Sequence, residues 1–179
     1  FNSRIYKKWK SRNFLFLLIM KWNIERSRFD ATNLMVNTTF EPKNDVLRYS
    51  LAQISINNYP EFISFQAKSI SYGEEHVHIK NFKDMDWEDL AWAKNVKGTE
   101  ISDGEIFLVH DVMGKTIIKE ILFDQILYDY GSKVFEIYQS DTSLSETWKD
   151  DMIHSLEKLK SKINNKSPDR EDLQANEVN

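Results

Sequence analysis

Three short groupings hold the side chains best suited to chemistry: His76-Val77-His78, Asp84-Met85-Asp86 and His110-Asp111. Two imidazoles at i and i+2 stand on one side of a strand, a spacing that some metal sites use. A metal site needs three or more converging ligands, and the nearest further donors are Glu74 on the same face and the distant His110. The pair also lacks the glycine spacing that precedes His-x-His in cupin metal motifs, so exposed histidines on a polar sheet face account for it. Asp84-Met85-Asp86 imitates the Asp-x-Asp with which some nucleotide-sugar transferases hold a divalent ion. No phosphate cradle or parallel strand precedes it, and Asp86 is better placed to cap a helix. His110-Asp111 has the residue types of an acid–base dyad at a strand end, without a nucleophile that any motif assigns to it. The five glycines are isolated, so there is no phosphate-binding loop, and neither a nucleophile elbow nor a zincin helix is present. The sequence thus assigns no catalytic, cofactor-binding or metal-ligating residue.

The elements that must position these groups read as a single α+β domain over residues 1–164, an antiparallel sheet of about four to six strands carrying helices, with two long helices at its C-terminal end. An apolar run at 13–22 and the Thr- and Val-containing stretch 31–40 predict strands, the second halted at Glu41-Pro42. Asn44 caps a short helix to about Ile54. After Pro60, Ile63, Phe65 and Ala67 alternate with polar residues as in a strand, Ser71 to Glu74 form a turn, and Val77 and Ile79 continue the inward face of a hairpin. Asp86 caps a helix over 87–96 with Trp87, Leu90 and Trp92 as its apolar surface. Residues 105–111 form an apolar strand turned back at Val112-Met113-Gly114-Lys115. Apolar residues at helical spacing predict a helix over 119–139, slightly weakened by Gly131. A second helix over 143–163 opens on a Ser143/Glu146 capping box, with Leu144, Trp148, Met152, Leu156, Leu159 and Ile163 on one stripe. The polar tail 165–179 is expected to be disordered.

Charge is divided unevenly. The basic N-terminal arm, residues 1–28, holds eight Lys/Arg against one acid, while the chain as a whole carries −4. The arm mixes Tyr6, Trp9, Phe14 and Phe16 with its cations, but the acidic body behind it repels phosphate, so nucleic acid is not the expected partner. Residues 14–20 are too short an apolar run to span a bilayer, and Lys21-Trp22 stand where a secretory signal would want small residues, so no membrane association is expected. The absence of cysteine suits a reducing, cytoplasmic compartment.

Projection of the helix over 119–139 singles out one candidate surface. With Phe123, Leu127 and Val134 facing the core, the opposite side holds Asp124, Tyr128, Asp129, Ser132, Phe135 and Glu136. Aromatics ringed by carboxylates suit a basic protein partner, because rings anchor while charge steers the encounter. Asp103, Glu105, Glu100 and the Asp84 to Asp89 cluster are expected to widen that surface.

The segment 104–138, an apolar strand ending His-Asp, a Met-Gly turn and then Phe-Asp-Gln-Ile-Leu-Tyr-Asp-Tyr, resembles the bacterial immunity proteins of polymorphic and contact-dependent growth inhibition toxins. The resemblance covers about a fifth of the chain. It implies a cytosolic, noncatalytic protein that neutralises one cognate toxin domain, and an acidic body fits a nuclease whose substrate groove is basic. Two other readings stay open: a small metal-assisted hydrolase centred on His76, His78 and His110, and a regulatory or scaffold subunit that pairs through its C-terminal helix.

Overall fold

The computed structural model describes residues 20–28 and 34–166. Strands β1 (Lys21–Arg28) and β2 (Leu34–Glu41) form a two-stranded antiparallel ribbon, in register from Lys21 opposite Glu41 to Arg28 opposite Leu34. Helices α1 (Asp45–Gln53) and α2 (Tyr59–Ala67) follow. The second sheet is a meander of β3 (Tyr72–Glu74), β4 (Val77–Asn81), β5 (Glu105–His110) and β6 (Gly114–Lys119), all antiparallel in that order, with α3 (Trp87–Ala91) between β4 and β5. The long helices α4 (Glu120–Tyr138) and α5 (Trp148–Lys166) complete the single α+β domain. Among the described residues no helix is long and apolar enough to cross a membrane.

The four-stranded sheet is the middle layer. Val77, Ile79, Ile106, Leu108 and Ile118 face a large core filled by Leu47 and Leu51 of α1, Phe62 and Ile63 of α2, Phe123, Leu127 and Val134 of α4, and Met152 and Leu159 of α5. The other face carries Phe107 and Val109 into a smaller cluster with Ala93, Met85, Trp92 and Ile101, beneath α3 and the π-turn Trp92–Val96 that extends it. β5 is therefore buried on both sides, which is why its sequence is continuously apolar instead of alternating.

Local rules explain several elements. Asn44 accepts the Leu47 amide at the start of α1, and Asp86 accepts the Asp89 amide at the start of α3. Gly131 in α4 lets three elements meet: a methyl group there would lie 2.7 Å from Ile63 Cδ1 and 3.2 Å from Leu156 Cδ2. Its place in the helix follows from packing, and the cost in helix propensity is secondary.

Five expectations are corrected. Tyr59–Ala67 is helix, not strand: Pro60 sits in the first turn, where no amide is needed, and Phe62, Ile63 and Gln66 are buried at i, i+1 and i+4. The turn between β3 and β4 is at Glu75 and His76, with Glu75 at φ 46°, and most of the expected turn is strand β3. Trp87 points to solvent instead of the core. α5 starts at Trp148, because Asp141 accepts both the Ser143 amide and hydroxyl and ties the would-be cap into a turn. Asn165 and Lys166 belong to α5, not to a tail, and the rest of that tail lies outside the described residues, as does most of the strand expected at 13–22. Within the described part of the arm, residues 21–28 form β1.

Candidate functional site

The register decides what the histidines can do. Val77 pairs with His110 and His78 with Val109, so His110 shares the inner face with Val77 while His76 and His78 alternate to the other face. The three imidazoles named by the hydrolase reading therefore do not converge. His110 is buried, and its Nδ1 accepts the amides of Val112 at 3.2 Å and Met113 at 3.3 Å, which braces the β5–β6 turn. His76 meets Asp111 at 3.1 Å on the exposed surface. The His110-Asp111 pair is thus split, one ring holding a turn and one carboxylate holding a different histidine. The C-terminal stripe of the scaffold reading is also in use: Met152 and Leu159 are buried in the chain's own core, with Leu156 and Ile163 packed against it.

The expected acidic face of α4 divides in two. Asp124, placed on the outer side by projection, is fully buried. It accepts a 2.6 Å hydrogen bond from Gln66 Nε2, and Lys162 of α5, only 9% exposed, lies 3.0 Å from its Oδ2. One turn earlier Glu120 is paired with Lys162 at 2.9 Å and Lys166 at 2.7 Å and accepts the Ser69 hydroxyl. Asn81 of β4 extends the network, donating from Nδ2 to Gln66 Oε1 at 3.0 Å and to the Ile70 carbonyl at 2.9 Å. Two carboxylates and two ammonium groups thus close a buried cluster in which charge balances. Burial pushes both carboxyls up. For Glu120, hydrogen bonds from Lys166, Ser69 and Lys162 outweigh that and hold it down to about 2, whereas for Asp124 burial prevails over Lys162 and Gln66 and its value is raised.

Beyond Asp124 the helix meets β1, and the outer residues line an open groove. Trp22, Asn23 and Ile24 form one wall, and Tyr128, Asp129, Ser132, Lys133 and Glu136 the other. The Trp22 indole donates to Asp129 Oδ2 at 2.8 Å, which fixes that carboxylate at the groove. Lys160 lies 5.9 Å from the centre of the half-buried Tyr128 ring, Glu136 pairs with Lys133, and the Ser132 hydroxyl donates to the Tyr128 carbonyl at 2.7 Å. Phe135 is not available as an anchor, since it stacks on Trp148 at 6.4 Å and helps seat the start of α5.

Asp103 and Glu105 lie elsewhere. They sit at the start of α4, where the Glu120 amide donates to the Gly104 carbonyl, about 13 to 24 Å along the helix axis from Asp129 and Glu136. Glu105 is half-buried and paired with Lys119 at 2.7 Å, and Asp103 turns back to accept the Gly104 amide. Glu105 also accepts the Ser102 amide at 2.9 Å, which ties both acids to the loop after Ile101. Four of the eight expected residues, Tyr128, Asp129, Ser132 and Glu136, thus share one groove. The β1 wall was not foreseeable, because nothing in the local pattern of Trp22 says which helix it will meet. No known family model matches this chain, and no curated protein and no solved structure is significantly similar to it.

Proposed function

We propose that this chain is a noncatalytic binding protein of the immunity type, which neutralises a basic toxin domain through the groove between β1 and α4. The observation that carries the reading is that Tyr128, Asp129, Ser132 and Glu136, expected together as a partner surface, line one open groove with the Trp22 indole. Concavity with aromatic walls suits a protruding segment of a partner, and the indole-held Asp129 offers a fixed acceptor to a cation at small ordering cost. Glu136 is answered by Lys133 and Lys160 lies over the Tyr128 ring, so Asp129 is the groove carboxylate that no described cation pairs, and it is the acceptor that a basic partner would meet. A nuclease domain, whose nucleic-acid groove must be cationic, has the required charge.

Kinetics against the purified candidate toxin domain test this. Tyr128→Ala should weaken the complex about 30-fold, on the order of 2 kcal/mol, mainly through faster dissociation. Asp129→Lys should slow association and flatten its salt dependence. Unchanged affinity in a folded Tyr128→Ala/Asp129→Lys protein would remove this groove from the interface.

A further inference from the structure

Trp87 is 75% exposed, a costly position for the largest apolar side chain, and no neighbour in the fold accounts for it. It is held still. Asp86 caps α3 by accepting the Asp89 amide at 2.9 Å, and Lys80 clamps Asp89 at 2.9 Å from β4. Asp84 is fixed too, accepting the Ser71 amide at 2.7 Å. The indole thus stands on a rigid turn flanked in sequence by Asp84, Asp86 and Glu88, all exposed, against one exposed cation, Lys83. Among the described residues Asp84, Asp86 and Glu88 enter no ion pair. A neighbouring ring shows what such an indole attracts: Trp92, five residues on in the π-turn, carries the Lys97 ammonium 5.3 Å from its ring centre.

We infer that Trp87 with Asp84, Asp86 and Glu88 is a docking surface for an arginine-bearing segment of a protein partner, distinct from the α4 groove. A guanidinium fits this surface better than an ammonium. Its plane stacks on the indole face while its in-plane N–H groups reach carboxylates at the rim, so one side chain uses both features at once. An ammonium ion gains the charge but neither the stacking nor the forked geometry. The capped turn has little freedom left to lose, so the ring is preorganised for the contact. Excess negative charge at the rim selects a basic segment and repels an acidic one.

The test uses the full chain and three synthetic octapeptides, one alternating Arg and Gly, one alternating Lys and Gly, and one alternating Gln and Gly, with the Trp87 indole N–H signal assigned by its loss in Trp87→Phe. The Arg peptide should move that signal and bind at least about fivefold more tightly than the Lys peptide, and the Gln peptide should not bind. Trp87→Ala should abolish the preference for Arg, and Glu88→Gln should weaken both cationic peptides. Equal affinity for Arg and Lys peptides, unaffected by Trp87→Ala, would reduce the surface to unspecific charge and overturn the inference. So would a shift of the Tyr128 groove in place of Trp87, or concentration-dependent self-association that Trp87→Ala abolishes without any peptide preference. A well-dispersed spectrum of Trp87→Ala identifies a folded variant, and the exposed ring gives its removal little structural cost.

Discussion

The two halves of α4 carry the same kinds of residue and meet opposite fates. In the first half Glu120 and Asp124 are enclosed by Lys162 and Lys166 of α5 and by Gln66 of α2; in the second, Asp129 and Glu136 look into an open groove beside β1. Part of the difference lies in the helix, which turns Glu120 and Asp124 to the side packed by α5 and α2 and carries Asp129 and Glu136 more than about 100° further round. The rest comes from which element covers each side. A carboxylate on an amphipathic helix is a stability element where a buried lysine answers it and a recognition element where it stays open to solvent.

The sharpest test of that contrast applies one substitution to both halves. Asp124→Lys should unfold the protein, because it sets a third ammonium beside Lys162 and Lys166 at a fully buried position. Asp129→Lys, five residues on, should cost no more than about 0.5 kcal/mol of stability. Urea titration followed by circular dichroism distinguishes the two outcomes, and comparable losses would erase the division of α4. Lys162→Met probes the same cluster from the other side. It leaves Asp124 without its cation and Glu120 with Lys166 alone, and should cost about 3–5 kcal/mol. A loss under about 1 kcal/mol would mean that the cluster contributes little beyond its packing.

Acid titration separates the two buried carboxyls. Glu120 is held down to about 2 in the folded protein against an ordinary value of 4.5, so its contribution is fully present above pH 4.5 and is lost as pH falls towards 2. Asp124 has the opposite sign: its raised value means the folded state takes up that proton before the unfolded chain does, which offsets part of the loss as pH falls towards 3.8. Glu120→Gln should therefore flatten the fall in urea stability between pH 4.5 and 2, and Asp124→Asn should steepen the acid side. Parallel profiles for both variants and the parent would contradict the assigned roles.

Much of the fold was legible because its signals are local. β5 was found one residue too long, α4 was placed within a residue at each end, and the caps Asn44 and Asp86 act as expected, since a cap or a helical period needs only near neighbours. Residues 59–67 failed because a short apolar run serves a buried strand or a buried helix equally well, and Phe65 and Ala67 alternate with polar residues by coincidence. The candidate surface was half legible for a different reason. Projection separates the sides of one helix but cannot see a partner 38 residues away, and Asp124 meets Lys162 at that distance in sequence. Trp87 shows the converse: apolarity suggested burial, and the turn that carries it faces outward.

A smaller effect than those in the buried cluster is expected at the position that sets how deeply α4 sits. A methyl group on Gly131 would approach Ile63 Cδ1 to 2.7 Å, Leu156 Cδ2 to 3.2 Å and Met152 Cε to 3.5 Å, and all three are ends of side chains. Such ends can yield by rotation, but each is walled in by the core, so the insertion costs about 1–3 kcal/mol. Alanine also relieves about 1 kcal/mol of unfavourable glycine propensity in a helix interior. Gly131→Ala should therefore lose only about 1 kcal/mol in urea unfolding, while leaving groove binding unchanged, because Gly131 meets α2 and α5 and lines no part of the groove. A gain in stability would show slack between α2, α4 and α5. A loss of partner binding in the folded variant would instead show that the seating of α4 governs its open half as well, and that the two halves are not energetically separate.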